Sequence, residues 1–515
     1  MTFFNILKRF KFTLFFVTLF IIIVDFLFAF VDPLATKMLI DKGIMMKNMR
    51  FFILLGIFII IFGTFIRIFQ YLIELLTQKT KNKILLETTI TLFNYYYRIP
   101  YIEIIKNNSG YYLSRIYDES KTLCFSAIDL LFGIVGSSVI AITSFFIVLY
   151  ITWKITLILL FIVPLLYFLS IKIGSKITLF SQMEKENEAV LRENILSSLS
   201  AYRVTKIFNL FNISFENLKK VINEFLNTLY LKTKKISSYN TASSILMSYT
   251  EFCVLIFLGL GVIIGILTIG GLFAYMNSFW KFFSSITRLI EHIPQLFSLK
   301  GSINRIKEYE KLIEGERKER IGEKISLNNI SFSFNNKGII KDFSYNFEKG
   351  QKYLIRGDNG SGKTTLLNII AGFLYPEGEY SLLPMERISA MIMPDEFIPG
   401  DLKDNVNYKN LSEEKKKYFM RLVQEFGLTE HINKNPKDLS EGEKRKFFII
   451  RTLLKDADLY LFDEPLNNLD VQSKEIVIRK IVELTEGKTL IVVMHGEEKF
   501  SGLFNKVITL KQKEV

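Results

Sequence analysis

Six stretches of this chain are long and apolar enough to read as membrane-spanning helices, and they constrain everything else the sequence can become. They run at about 12–31, 51–72, 123–150, 153–173, 245–267 and 271–293. A helix needs about 20 apolar residues to cross a bilayer. Within lipid the backbone must satisfy its own hydrogen bonds, which an α-helix does. The run near the N-terminus follows Lys8, Arg9 and Lys11. It is too long for a cleavable signal and no small-residue cleavage pattern follows it, so it reads as the first span.

The gaps between the spans carry their own pattern. Two are long, at about 76–122 and 174–240. The first is rich in basic residues, among them Lys79, Lys81, Lys83, Arg98, Lys106, Arg115 and Lys121; the second holds Arg192, Arg203, Lys206, Lys219, Lys220 and Lys232. Basic loops are retained in the cytoplasm, so both gaps and both termini are placed there. The loop between spans one and two runs against this rule with Lys37, Lys42, Lys47 and Arg50. The long gaps look helical and polar, which predicts helices that continue well beyond the bilayer. Charges at Asp25, Arg67, Glu74, Asp129, Glu251 and Lys281 fall in or near spans. Each faces a polar cavity, pairs with another charge, or lies in the extended cytoplasmic end of a long helix. Cys124 and Cys253 have no metal or disulfide spacing and read as inert.

The formal net charge of +14 raises nucleic-acid binding, but the basic residues form no stripe with interleaved aromatics, so no nucleic-acid partner is expected. The last third of the chain has a different texture, with short β-type runs and loops. Within it GDNGSGKTT, at 357–365, fits G-x-x-x-x-G-K-[ST] without mismatch. A strand-like run precedes it and a helix-like run follows, as the motif requires. Gly357, Asp358, Asn359, Gly360, Ser361, Gly362, Lys363, Thr364 and Thr365 are therefore expected to cradle the phosphates of ATP. Lys363 would reach the β- and γ-phosphates, and Thr364 would hold Mg²⁺. Further on, LYLFDEP at 459–465 ends an apolar strand in Asp463, the expected second partner of Mg²⁺, followed by Glu464, placed to polarise an attacking water.

Between these motifs lies LSEGEKRKFFIIR, at 439–451, which resembles the signature of the ATP-binding-cassette (ABC) family. Ser440 and Gly442 stand at the family's positions, while Glu441 and Glu443 replace the usual Gly and Gln. The membrane part is similar to that of ABC exporters as well. RIPYIEIIKNNSGYYLSRIYD at 98–118 resembles the first intracellular loop, through Gly110, Ser114, Arg115 and Asp118. RENILSSLSAYRVTKIF at 192–208 resembles the second, and 267–276 and 298–309 resemble the entry and exit of the sixth span.

The resemblance covers nearly the whole chain and carries further implications. His495 matches the switch histidine, Asp470 in NNLD the residue coupling two nucleotide sites, and Phe334 the adenine-stacking aromatic, with Phe332 competing. Asp395 stands where the family usually has Gln and is implied as a further ligand of Mg²⁺ or its water. The acidic-glycine element common before the signature in multidrug exporters is missing. The implied fold is an α-helical transmembrane domain of six spans, exporter type, plus an α/β P-loop ATP-binding-cassette domain. The boundaries are 1–310 for the membrane domain, 311–322 for a linker and 323–515 for the cassette. Glu464, His495 and Lys363 are the implied catalytic residues.

One phosphate loop and one signature cannot complete a composite site alone, so two cassettes must face each other. The implied partner is a second copy of the chain, with membrane lipid around it, in the plasma (inner) membrane with the cassette in the cytoplasm. The implied activity is ATP-driven export or flipping of a small peptide, lipid or hydrophobic drug-like compound. A nucleotide-gated sensor or channel, and one half of a heterodimer, stay open at this point.

Overall fold

The apolar half of the sequence becomes long helices. In the computed structural model the described residues are 2–107, 109–154, 156, 179–180, 183–184, 186–314, 321–334, 337–392, 396–495 and 498–510. The chain divides into two units, one of Met1–Arg98 and Asn108–Ile313, the other of Ile99–Asn107 and Glu314–Val515.

The first unit is built on α1 (Lys11–Met38), α2 (Met49–Tyr96), α4 (Glu119–Ile151), α5 (Phe211–Ile263) and α6 (Ile269–Lys311). Among the described residues three helical stretches, Lys11–Met45, Met49–Tyr96 and Ser109–Ile151, are long and apolar enough to cross a membrane. The expected fourth span, 153–173, lies almost wholly outside the described residues. The fifth falls on α5, whose apolar run Ser248–Ile263 is shorter, and the sixth on α6. With 48 residues in α2 and 53 in α5, these helices extend roughly 70–80 Å at about 1.5 Å per residue. That is more than twice the hydrocarbon thickness of about 30 Å, as the polar gaps predicted.

Half of the span charges meet partners on other helices. Lys281 of α6 bonds Asp32 at 2.7 Å and the Phe28 carbonyl at 2.9 Å, both on α1, and Asn277 reaches the same carboxylate at 3.0 Å. Asp129 pairs with Lys81, and Glu251 accepts from the Trp280 indole at 3.0 Å. Asp25 lies against Gly136 of α4, whereas Arg67 and Glu74 are exposed. In an apolar medium a lone charge is costly, and pairing is how a helix bundle retains one. Further along, Arg305 grips Glu119 with two bonds of 2.5 and 2.9 Å, tying the C-terminal part of α6 to the start of α4.

The second unit is layered. A five-stranded parallel sheet has the order β5–β6–β7–β3–β8, and an antiparallel sheet the order β2–β1–β4. Their strands are β1 Ile325–Phe334, β2 Lys337–Phe347, β3 Lys352–Gly357, β4 Glu377–Ser381, β5 Ile388–Met391, β6 Leu459–Asp463, β7 Thr489–Val493 and β8 Lys506–Leu510. Every residue of β6 and β7 is buried, as expected of parallel strands covered on both faces. On one face, Leu459 and Leu461 join α7 (Lys363–Ile370) and the antiparallel sheet in one core. On the other, Tyr460 and Phe462 pack among α8 (Glu413–Glu425), α9 (Glu441–Leu454) and α10 (Val471–Leu484). A short helix from far upstream, α3 (Tyr101–Lys106), belongs to this unit: Tyr101 and Ile102 pack on the first of these cores, and the Tyr101 ring lies 5.3 Å from that of Phe373.

Leu461 is fully buried in a central strand. Leu461→Ala is expected to cost about 3 kcal/mol, read as a lower melting temperature of the purified protein in detergent.

Candidate functional site

The parallel sheet decides where the sequence motifs meet. β7 lies between β3 and β6, and its last residue, Val493, pairs with both Ile355 and Asp463. The phosphate loop, the acidic strand end and the segment leading to His495 therefore leave the sheet along one edge. Open parallel sheets bind ligands at the carboxyl ends of their strands.

The loop from β3 to α7 turns through glycines. Gly360 and Gly362 have φ of +83° and +88°, a region costly for residues with a Cβ. Gly362 caps α7, and a Cβ there would stand 3.1 Å from the Ile339 side chain. The orphan amides at the start of α7, with its dipole, favour an anion at this place. Lys363 is buried and folds back over the loop, donating to the carbonyls of Gly357 and Asp358 at 2.8 Å each. Thr364 donates its hydroxyl to the buried Asp463 carboxylate at 2.8 Å.

Glu464 follows with φ of +49°, an uncommon conformation that costs on the order of 1–3 kcal/mol. Its amide donates to the Val493 carbonyl at 2.9 Å, and its carboxylate accepts from the Asn467 amide group. A cleft of about 890 Å³ opens over this edge, lined by residues 359–365, Glu464 and one wall of β2 that includes Ile339 and Phe343. Phe334 is half-buried at the end of β1, opposite Lys337 in the hairpin, and Phe332 is in the core. His495 is exposed just beyond β7. Asp395 lies outside the described residues.

The signature segment lies apart from this cleft. Ser440 is exposed and caps α9 in a capping box with Glu443. The Ser440 hydroxyl and amide hold the Glu443 carboxyl below the usual range. Gly442 is placed so close to the Asn468 carbonyl that a Cβ would come within 3.2 Å of it. Asp470 caps α10, accepting from the Ser473 amide at 2.8 Å, and bonding to Ser473 depresses its carboxyl as well. Sequence reasoning did not find the wall of β2 or the pairing of His431 with Glu443 at 3.1 Å. The capping box itself was legible as Ser-x-x-Glu.

Comparison with known proteins identifies this arrangement. Residues 340–467 match the family described as ABC transporter, and residues 12–286, more than half the chain, match the ABC transporter transmembrane region. The chain is an ABC transporter. This transporter is 23% identical over 452 residues to an ATP-dependent lipid A-core flippase of Bordetella avium, covering 80% of this chain and 75% of the relative. It is 24% identical over 440 residues to the ATP-dependent lipid A-core flippase of Pseudomonas aeruginosa, covering 79% and 72%. A solved bacterial Atm1-family ABC exporter with ATP bound superposes with a TM-score of 0.80 at 15% identity, over 99% of this chain and 95% of that one. The fold is therefore that of an ABC exporter, and the transporter is an ATPase coupled to transport.

Gly362→Ala strains the left-handed cap of α7 and crowds Ile339. It is expected to weaken ATP binding about five- to thirtyfold, a strain of about 1–2 kcal/mol, with the loss seen by titrating labelled ATP onto the purified protein.

Proposed function

We propose that the transporter works as a homodimer that uses ATP to export or flip a lipid or hydrophobic compound across the inner membrane, with its cassettes in the cytoplasm. The observation that carries this reading is the convergence of the phosphate loop, Asp463 and Glu464 on one sheet edge, in a chain whose other unit is built of membrane-length helices. The names of the flippase relatives support a lipid-like substrate, and a small peptide is the remaining alternative. The reading divides the chain into a membrane domain at 1–310, a linker at 311–322 and a cassette at 323–515.

Each residue then has a task. Residues 357–365 wrap the phosphates with backbone amides, and the Lys363 ammonium exchanges its two carbonyl partners for β- and γ-phosphate oxygens. The Thr364 hydroxyl and Asp463 carboxylate are hard oxygen donors and fit Mg²⁺, which typically takes one or two carboxylates and completes its shell with phosphate oxygens and water. Asp395 is assigned to the same ion or its water. Mg²⁺ bound there would supply charge neutralisation along the phosphates. Glu464 accepts a proton from the attacking water, oriented by Asn467, and His495 contacts the γ-phosphate from the end of β7. Phe334 stacks on adenine.

Ser440 and Gly442 stand on an exposed helix start away from their own cleft, which suits service to the nucleotide of a second copy, with Asp470 linking the two sites. A helix N-terminus and a serine hydroxyl are apt donors to a phosphate. Closing two cassettes on shared ATP would move the paired helices from inward- to outward-facing, and hydrolysis would reset them.

The test is reconstitution of the chain alone in lipid vesicles, measuring ATP hydrolysis and movement of a fluorescent lipid between leaflets. Glu464→Gln is expected to bind ATP yet lose about 10²- to 10⁴-fold in turnover, the usual worth of a general base. Near-normal turnover in that variant would remove the assignment.

A further inference from the structure

The carboxylate that replaces the family's usual glutamine in the signature holds the signature's own serine. Glu443 Oε2 accepts from the Ser440 amide at 2.7 Å and from the Ser440 hydroxyl at 2.8 Å. In return the Glu443 amide donates to Ser440 Oγ at 3.3 Å. The other oxygen, Oε1, lies 3.1 Å from His431 Nε2, and His431 Nδ1 lies 3.2 Å from Lys434 Nζ. An ammonium can only donate, so Nδ1 accepts there, and Nε2 carries the proton offered to Glu443. A chain of hydrogen bonds thus runs Lys434–His431–Glu443–Ser440, from the turn Thr429–His431 into the first turn of α9. The remaining charges on that turn, Glu441 and Lys444, pair with each other at 2.7 Å.

A hydroxyl has one proton to give. While Ser440 gives it to Glu443, it cannot give it to a phosphate oxygen. A carboxylate is a charge-assisted acceptor and competes for that proton more strongly than a neutral amide would. Its negative charge, beside the start of α9, also opposes an arriving polyphosphate. His431, donating from Nε2 to the other carboxylate oxygen, orients Glu443 toward Ser440.

We propose that Glu443, oriented by His431 and Lys434, is a positioning residue that latches the Ser440 hydroxyl, and that ATP on a second copy of the chain must win this hydroxyl to engage the signature. The proposal rests on the two-cassette reading given above.

The experiment is ATPase activity against ATP concentration for the full chain in nanodiscs, with E443Q, H431Q and S440A beside the wild type, read as KM and kcat separately. E443Q is expected to lower the KM for ATP about fivefold, the order of one charge-assisted hydrogen bond exchanged for a neutral one. H431Q, which removes the donor that orients the carboxylate, is expected to lower KM by less, with kcat unchanged. An unchanged or higher KM in E443Q, with S440A impaired, overturns the latch and leaves the two-cassette reading standing. S440A kinetics equal to those of the wild type, or a wild type without ATPase activity, would remove that reading and the latch with it. Should E443Q melt below the assay temperature, H431Q decides: a KM equal to that of the wild type overturns the proposal.

Discussion

The register of three parallel strands is the constraint on which the nucleotide site depends. Val493 of β7 faces Ile355 of β3 on one side and Asp463 of β6 on the other. A slip of one residue in either pairing would move a strand by about 3.3 Å and turn its side chains to the opposite face. The 2.8 Å bond between Thr364 and Asp463 could not survive such a shift. Burial on both faces fixes the register: Leu461 belongs to one core and Phe462 to the other, so the strands cannot slide without exchanging their surroundings.

What was legible in the sequence follows from how local each demand is. The phosphate loop is readable because it is a run of backbone conformations and amides that only a particular spacing of glycines, lysine and a hydroxyl supplies. Asp463 is readable because a fully buried strand must end where the polar residues begin. The wall of the cleft was not readable. β1 and β2 pair with irregular register between Leu327 and Ser333, so the alternation that would assign Ile339 and Phe343 to a face is interrupted. His431 was hidden for another reason: its contact with Glu443 depends on how the turn before the signature folds back, which no periodicity records.

The membrane helices illustrate the same division. Their existence is written in the length of the apolar runs, while the fates of their charges are not. Lys281 looked like an intramembrane cation of unknown purpose until α6 was placed beside α1 and its bond to Asp32 became visible. Asp32 itself adjoins Pro33, just past the end of the first apolar run. Pairing accounts for Lys281, Asp129 and Glu251, whereas Arg67 and Glu74 are exposed on α2.

The short helix Tyr101–Lys106 has a practical consequence for anyone who would study the motor in isolation. Its Tyr101 and Ile102 lie on the cassette's own core, with Tyr101 beside Phe373, although more than two hundred residues separate them from the rest of that unit. A fragment beginning at Glu314 would therefore be born with a bare oily notch at Phe373. Its solubility and its tendency to self-associate would report the missing plug as much as the properties of the cassette. A faithful excision would carry residues 99–107 along, grafted or supplied as a peptide.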